Sequence, residues 1–440
     1  MRRAGPRAVF ALLVCAAAAA RADVLHLQGG GEIATEHWWI EGDTLHVESA
    51  GGVVGLPRTL LVRVEPGPTK AAAIVGGRPA AGGPLATTAL PKTVATPKHP
   101  VSPDIAAKMT EGNAALEAHD FETAAMRFYD VVKAEPDAVG PRVGYAAAEM
   151  ALGRDAAALP VILDGLARDP GAADLHEVFG VLRDREERVD DALTAWREAF
   201  RLAPSDRVRD RIIKAERELA AGRNYEYSAA AHFTLRYDGT LDQDLVAQLT
   251  DFLEDRFRDL TSTYRHAPSQ SITVLLYPQQ AFHDVTQVGN EVAGLYDGKI
   301  RVPMGGLKKL DPEAQRVLTH ELTHAIVQSK SRGNCPRWLH EGLAQLAEPR
   351  TLRRADLIAL RGAVRADAAS TWPDQSFGYP AALSFTRFLE ERRGFDLLVG
   401  LVGRLGDGET PDAALFALYG ATYAELAAAW AEWLHEAPGP

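Results

Sequence analysis

Residues 23–65 alternate apolar and polar positions in short runs: Val24-Leu25-His26-Leu27, Glu32 to Ile40, Thr44-Leu45-His46-Val47 and Leu60 to Val64. Gly29 to Gly31, Gly42-Asp43 and Gly51-Gly52 punctuate them. Short alternating runs divided by turn residues predict a small antiparallel β unit. It is too short to bury much core by itself. Residues 66–103 are rich in Pro, Ala, Gly and Thr and carry no apolar period, so they predict a flexible linker.

From residue 104 the pattern becomes helical and repeats. Pro136, Pro170 and Pro204 are 34 residues apart, and at the same interval Gly112, Ala146 and Gly180 coincide. So do Ala124, Ala158 and Ala192, and the large residues Phe128, Ile162 and Trp196. Small residues at fixed offsets let two helices cross closely, and the proline closes each unit. This period and pattern resemble tetratricopeptide repeats over residues 104–222, with Asp206 to Ala221 as a polar-faced capping helix. The resemblance implies a concave surface able to take a protein or peptide partner; many such arrays only hold domains together.

Residues 229–440 combine strands with helices. Phe233 to Tyr237 and Ile272 to Tyr277 predict strands, and Asp242 to Tyr264 a helix with Leu245, Leu249, Phe252, Leu253, Phe257 and Leu260 on one side. Leu295 to Val302 predicts a hairpin on a two-residue Asp297-Gly298 turn. Beyond residue 350 the pattern is helical. The fold class expected is α+β: a small sheet followed by helices, preceded by an α-solenoid and the small β unit.

Composition adds bounds. The chain has 440 residues, enough for two to four compact units, with 46% apolar and 24% charged residues, ordinary for a soluble protein. Arg2, Arg3 and Arg7 precede the apolar run Ala8 to Ala20, and Ala20-Arg21-Ala22 fits a cleavage site; residues 1–22 therefore predict a signal peptide and an exported, periplasmic or secreted protein. Cys15 raises a lipid anchor as an alternative, but Leu13-Val14 offers no small residue before it. No other stretch is apolar and long enough to span a bilayer. Cleavage before Asp23 moves the net charge from −11 to −15, with 44 basic against 59 acidic residues. That excess argues against nucleic acid or an anionic membrane surface as the main partner. Cys335 is then the single cysteine, so no intramolecular disulfide forms, and a buried thiol is expected.

The chemistry lies in two segments. Asp311-Pro312-Glu313 predicts a helix start with an N-cap, a proline at the first position and an acid in the first turn. The helix runs on through His320-Glu321-Leu322-Thr323-His324. Residues four apart share a face, so both imidazoles aim at one spot, as two zinc ligands must. Glu321 stands beside them as a base for water. Leu318, Leu322 and Ala325 face the other way, into the core. A second helix from Pro336 carries Trp338-Leu339-His340-Glu341-Gly342-Leu343-Ala344. Glu341 is the expected third ligand. His340 competes, but adjacent helical residues point about 100° apart, so one serves and the other lies on the surface or behind the ligands. Gly342 is expected to let the two helices approach closely.

These two motifs together resemble the gluzincin peptidases, specifically the peptidase MA-like domains, over about residues 230–435. The segments Gly294 to Pro303 and Tyr379-Pro380-Ala381 to Glu391 are similar to that family too. The resemblance implies a zincin-like catalytic domain with one Zn²⁺, His320, His324 and Glu341 as ligands, and Glu321 as base and proton shuttle. It also implies that the strand near Ile300 to Val302 is an edge able to pair with an extended substrate. Tyr379 is the candidate second donor to an oxyanion, set against a core tyrosine beside Phe377. His232, His266 and His283 lack ligand spacing, and Trp372, Trp430 and Trp433 are expected in packing.

The leading expectation is a zinc peptidase acting on a peptide or protein substrate. A repeat-based scaffold with a silent peptidase-like domain is the alternative, and a non-peptidase zinc hydrolase on the same ligands is a third.

Overall fold

The structure, a computed structural model, describes the elements within residues 23–65 and residues 93–436, except 98–99, 223–224, 240, 279–281, 283–284, 287–293, 305–306, 349–353 and 366–378. The proposed signal peptide, His283, Trp372 and Phe377 lie outside the described residues. The chain divides into two compact units, residues 1–73 and 74–440.

The described residues of the first unit form strands β1 (Asp23–Leu27), β2 (Glu32–Thr35), β3 (Trp38–Glu41), β4 (Thr44–Ser49), β5 (Gly52–Pro57) and β6 (Leu61–Glu65), with one 3-10 turn at Arg58–Leu60. They form two three-stranded antiparallel sheets, β2-β1-β6 and β3-β4-β5. Glu41 pairs with Thr44 at the end of the β3–β4 ladder.

The second unit opens with seven helices, α1 (Pro103–Glu117), α2 (Phe121–Ala134), α3 (Val139–Ala151), α4 (Asp155–Arg168), α5 (Ala173–Arg185), α6 (Val189–Leu202) and α7 (Asp206–Ala221). They are a tetratricopeptide-like array of three helical hairpins and a final helix. The repeated small and large positions are its joints. Ala124, Ala158 and Ala192 are fully buried, as are Phe128 and Ile162. A Cβ on Gly112 would come within 2.9 Å of the Phe128 ring, and one on Gly180 within 2.3 Å of Trp196 Nε1, so only glycine admits the large residue of the next helix. Each hairpin turn also holds one left-handed residue, at His119, Gly153 and Glu187, again 34 apart. The end of the segment expected as a flexible linker is held: Val94 exchanges two hydrogen bonds with the Asn113 amide, at 2.8 and 3.1 Å. Its neighbour Ala95 lies where only a glycine, Gly140, leaves room.

A small mixed sheet with helices follows. Strands β7 (Tyr225–Ala229), β8 (Phe233–Asp238), β9 (Ile272–Tyr277), β10 (Leu295–Tyr296) and β11 (Ile300–Pro303) lie in the order β10-β11-β9-β8-β7. The three central strands run parallel and the outer two antiparallel to their neighbours. Helix α8 (Gln243–Tyr264) makes the crossover from β8 to β9, capped by Asp242, whose side chain accepts from the Asp244 amide. The remaining helices are α9 (Pro312–Lys330), α10 (Arg337–Ala347), α11 (Arg354–Arg365), α12 (Tyr379–Arg393), α13 (Phe395–Gly406), α14 (Pro411–Tyr419) and α15 (Tyr423–Glu436). One core runs through sheet and helices: Val274, Leu276 and Ile300 from the strands meet Leu249, Leu318, Leu322, Leu339 and Leu343. Among the described residues no helix is long and apolar enough to cross a membrane.

Two sequence expectations change here. The strand Ile300–Pro303 has β9 on one side and the two-residue β10 on the other, which pairs with Ile300 and Arg301; among the described residues β10 is the edge there. And the hairpin turn holds three residues, because Tyr296 pairs with Ile300 and Gly298 takes a φ of +102°. The longer turn leaves Asp297 and Lys299 off the ladder, and both are drawn into a buried cluster of charges described below.

Candidate metal site

Helix α9 begins as its sequence dictates: the Asp311 carboxylate accepts from the Ala314 amide at 2.8 Å and Pro312 takes the first position. Its apolar side is sealed, with Leu318 and Leu322 fully buried, so His320 and His324 are held on the other face one turn apart. Their Nε2 atoms lie 3.1 Å from each other. Helix α10 brings Glu341 across, and its Oε2 stands 3.6 Å from each of these nitrogens. His320, His324 and Glu341 thus place three ligand atoms together. Glu341 Oε2 is buried and has no hydrogen-bond donor.

The triangle fits a metal. Zinc with nitrogen and oxygen ligands at about 2.0–2.1 Å in a tetrahedral array separates neighbouring ligand atoms by about 3.3–3.4 Å. Sides of 3.1, 3.6 and 3.6 Å bracket that edge.

The outer nitrogens of the two histidines are anchored unequally. His320 Nδ1 meets Glu348 Oε1 at 2.5 Å, and Arg316 holds the same carboxylate. Burial pulls the His320 imidazole down, but the Glu341 and Glu348 carboxylates on either side of it outweigh that and lift it to about 10 in the metal-free site. Burial also pushes Glu348 up, against the stronger bond to His320 and the Arg316 charge, and it ends below the ordinary carboxylate range. His324 Nδ1 meets His340 Nδ1 at 2.6 Å. One of these nitrogens must donate and the other accept. Burial, reinforced by His324, pushes His340 down to about 3, so it is a neutral imidazole against His324. The two anchors orient the rings from behind so that both Nε2 atoms face one point, where a bound metal would displace the Nε2 proton of His320. His340 is therefore buried behind His324 and lies outside the ligand triangle.

Glu321 is buried beside the triangle, and desolvation raises its carboxyl above the ordinary range. Gly294, just before β10, lies directly against it: a Cβ there would come 2.7 Å from Glu321 Oε1. Tyr379, the first residue of α12, has its ring 6.5 Å from that of His320. The Glu341 charge, and then burial, push its phenol up, so it stays protonated. The Gln345 amide bonds the Tyr379 carbonyl at 2.9 Å and the Glu341 carbonyl at 3.1 Å, tying α12 to the ligand helix.

Gly342 allows close approach, but to α12 and not to α9: a Cβ on it would meet Thr386 Oγ1 at 1.9 Å and the Ala382 carbonyl at 2.7 Å. Of the other residues singled out, His232 bonds Glu254 at the surface and His266 bonds Ser329 Oγ at 2.8 Å. Trp430 is buried with its indole nitrogen on Ser384, and burial pushes the Cys335 thiol well up. Sequence reasoning missed Glu348 and Arg316. The available signal was spacing: Glu348 follows Glu341 by two helical turns, and Arg316 precedes His320 by one.

Compared with protein-family models and with curated proteins, the chain matches none. Among solved structures it is similar to the first tetratricopeptide domain of Spaghetti (RPAP3) bound to the HSP90 peptide SRMEEVD, at 17% identity and a TM-score of 0.26, over 28% of this chain and 99% of that one. It is similar as well to the first such domain of human RPAP3, at 16% identity and a TM-score of 0.26, over 27% of this chain and 95% of that one.

Proposed function

We propose that this protein is a zinc-dependent peptidase with His320, His324 and Glu341 as ligands and Glu321 as base. The observation that carries this is the triangle of His320 Nε2, His324 Nε2 and Glu341 Oε2, buried and 3.1 to 3.6 Å apart, in which Glu341 Oε2 has no hydrogen-bond partner. A bound zinc ion supplies Lewis acidity, polarising a carbonyl and acidifying water. Glu321, whose proton affinity burial raises, takes the proton from the attacking water and delivers it to the leaving amine nitrogen. Tyr379, held protonated, donates a hydrogen bond to the oxyanion that develops on the substrate carbonyl. The edge strand β10 offers its outer backbone groups to an extended peptide. Signal-peptide cleavage before Asp23 and an exported location belong to the same proposal; N-terminal sequencing of the fractionated protein tests them.

The test is incubation of residues 23–440, loaded with zinc, with a mixed peptide library beside Glu321→Gln, cleavage being read by mass spectrometry. Cuts made by the parent alone support the proposal. One equivalent of zinc bound with no cuts by either sinks the peptidase reading. A second reading would then take over: a protein-binding scaffold with a silent peptidase-like domain. It draws on the repeat array, where Met126, Tyr129 and Leu163 are exposed apolar side chains able to meet a peptide or protein partner.

A further inference from the structure

A second cluster of buried charge lies where the last helices of the repeat array meet the β10–β11 hairpin. Lys299, in the hairpin turn, is 5% exposed. Its ammonium meets Glu218 Oε1 of α7 at 3.1 Å, Asp184 Oδ1 of α5 at 3.0 Å and Glu187 Oε1 at 3.3 Å. All three carboxylates belong to the repeats. Arg301, on β11 and 1% exposed, meets the other Glu218 oxygen at 2.8 Å, both Asp297 oxygens at 3.1 Å and the Tyr277 hydroxyl at 2.7 Å. Lys214 of α7 pairs with Asp297, and Arg236 of β8 meets Glu187 at 3.1 Å. Four carboxylates and four cations thus meet here, Glu218, Asp297, Lys299, Arg301 and Arg236 buried and Asp184, Glu187 and Lys214 half-buried, with the balance of charge reached only across the junction. A buried charge stripped of its partner is costly, so the hairpin's cations hold their place only while the repeats supply the acids.

The hairpin in turn borders the proposed site. Gly294, one residue before β10, is packed on the Glu321 carboxylate and on Val317 of α9, each 2.7 Å from where its Cβ would stand. We infer that the helical repeats are part of the framework of the catalytic site: Glu218, Asp184 and Glu187 hold Lys299 and Arg301, and so set the hairpin that borders Glu321 and carries the edge strand. These are positioning residues. They touch neither the ligands nor the reacting atoms, and they act through the seat of β10 against Glu321. The catalytic consequence rests on the peptidase reading; the mechanical one does not. Removing residues 104–222 should therefore disable cleavage of a short peptide as well as of a large protein, since it leaves Lys299 and Arg301 without their acids.

The experiment is hydrogen exchange by mass spectrometry on the full chain, parent against Lys299→Met, comparing segment 294–304 with helix α9. The expected result is exchange faster by roughly tenfold or more in the hairpin, with α9 little changed, as local opening without global unfolding gives. For an extended peptide substrate KM should then rise about tenfold, with kcat and zinc content held, because the edge strand and not the chemistry has moved. Unchanged protection of the hairpin overturns the inference. If Lys299→Met exchanges freely throughout, Glu218→Gln, which keeps the side-chain volume, decides on the same criterion. A parent that binds no zinc and cleaves nothing refutes the peptidase reading alone, and hairpin exchange still decides the role of the repeats.

Discussion

The ligand triangle and the hairpin cluster are both buried groups of titratable side chains, and they are built in opposite ways. At the hairpin every acid faces a cation, so the charges are satisfied from within the protein. At the triangle His320, His324 and Glu341 turn potential ligand atoms toward one another, while Glu348 and His340 hold the outer imidazole nitrogens from behind. Low dielectric makes an uncompensated arrangement of this kind expensive, whereas a balanced one holds structure together. What separates a binding site from a structural network is thus the direction in which its lone pairs point, and burial or charge density alone does not tell them apart.

The comparison breaks first at Glu321. Glu321→Gln should lower turnover by roughly 10²–10⁴-fold while zinc content, read by atomic spectroscopy, stays at the parent level. Loss of zinc along with activity would make Glu321 part of the binding set instead. At the other cluster Arg301→Met should cost about 3–5 kcal/mol of stability in a denaturant titration, since it leaves Glu218 and Asp297 with one cation each, Lys299 and Lys214, and the buried charge out of balance.

The same cluster sets a pH window. Glu218 faces Lys299, Arg301, Lys214 and, unfavourably, Asp297. Burial raises its carboxyl, but these cations prevail and hold it below its ordinary 4.5. Its contribution is therefore present above that value and fades as pH falls through the depressed one. Burial lowers Lys299, but Asp184, Glu218 and Glu187 prevail and hold it above 10.5, so its contribution is present below that value and fades as pH rises through the elevated one. Denaturation midpoints that stay flat between these limits, and lose that flatness in Arg301→Met, would sharpen the contrast.

Tyr379→Phe should reduce turnover roughly 100-fold, the lower end for one lost oxyanion donor, with zinc affinity intact. Unchanged turnover would return Tyr379 to packing. The smallest effects concern the anchors. Glu348→Gln should weaken zinc binding by roughly 10- to 100-fold in a chelator competition, and His340→Leu by about tenfold, because a neutral imidazole polarises its partner less than a carboxylate. Equal losses at both would show that tutoring of the tautomer, and not charge, is what the anchors provide.

Much of this was legible in order along the chain. Helix α9, with its cap, its apolar stripe and the two histidines a turn apart, is a local object, and local spacing specifies it. The repeat array follows for the same reason: the 34-residue period places each small residue against a large one in the neighbouring helix. What local spacing could not supply was any relation across elements. Gly342 was read as a contact with α9, when the helix it admits is α12. The strand near Ile300 to Val302 reads as an edge, when β10 covers it at Ile300 and Arg301. The hairpin turn was read as two residues, because nothing within it announces that Asp297 and Lys299 are claimed by charges on α5 and α7.

By itself, then, the sequence determined which segments are helices or strands, where the repeats fall, and that two imidazoles share a face with a carboxylate beside them. Only the tertiary structure decided that Glu341 completes the triangle ahead of His340, that Glu348 stands behind His320, and that the repeats supply the acids for the hairpin. The reason is physical: periodicity and capping act over one or two turns of chain, while the balance of buried charge and the direction of a lone pair are settled between residues far apart in sequence.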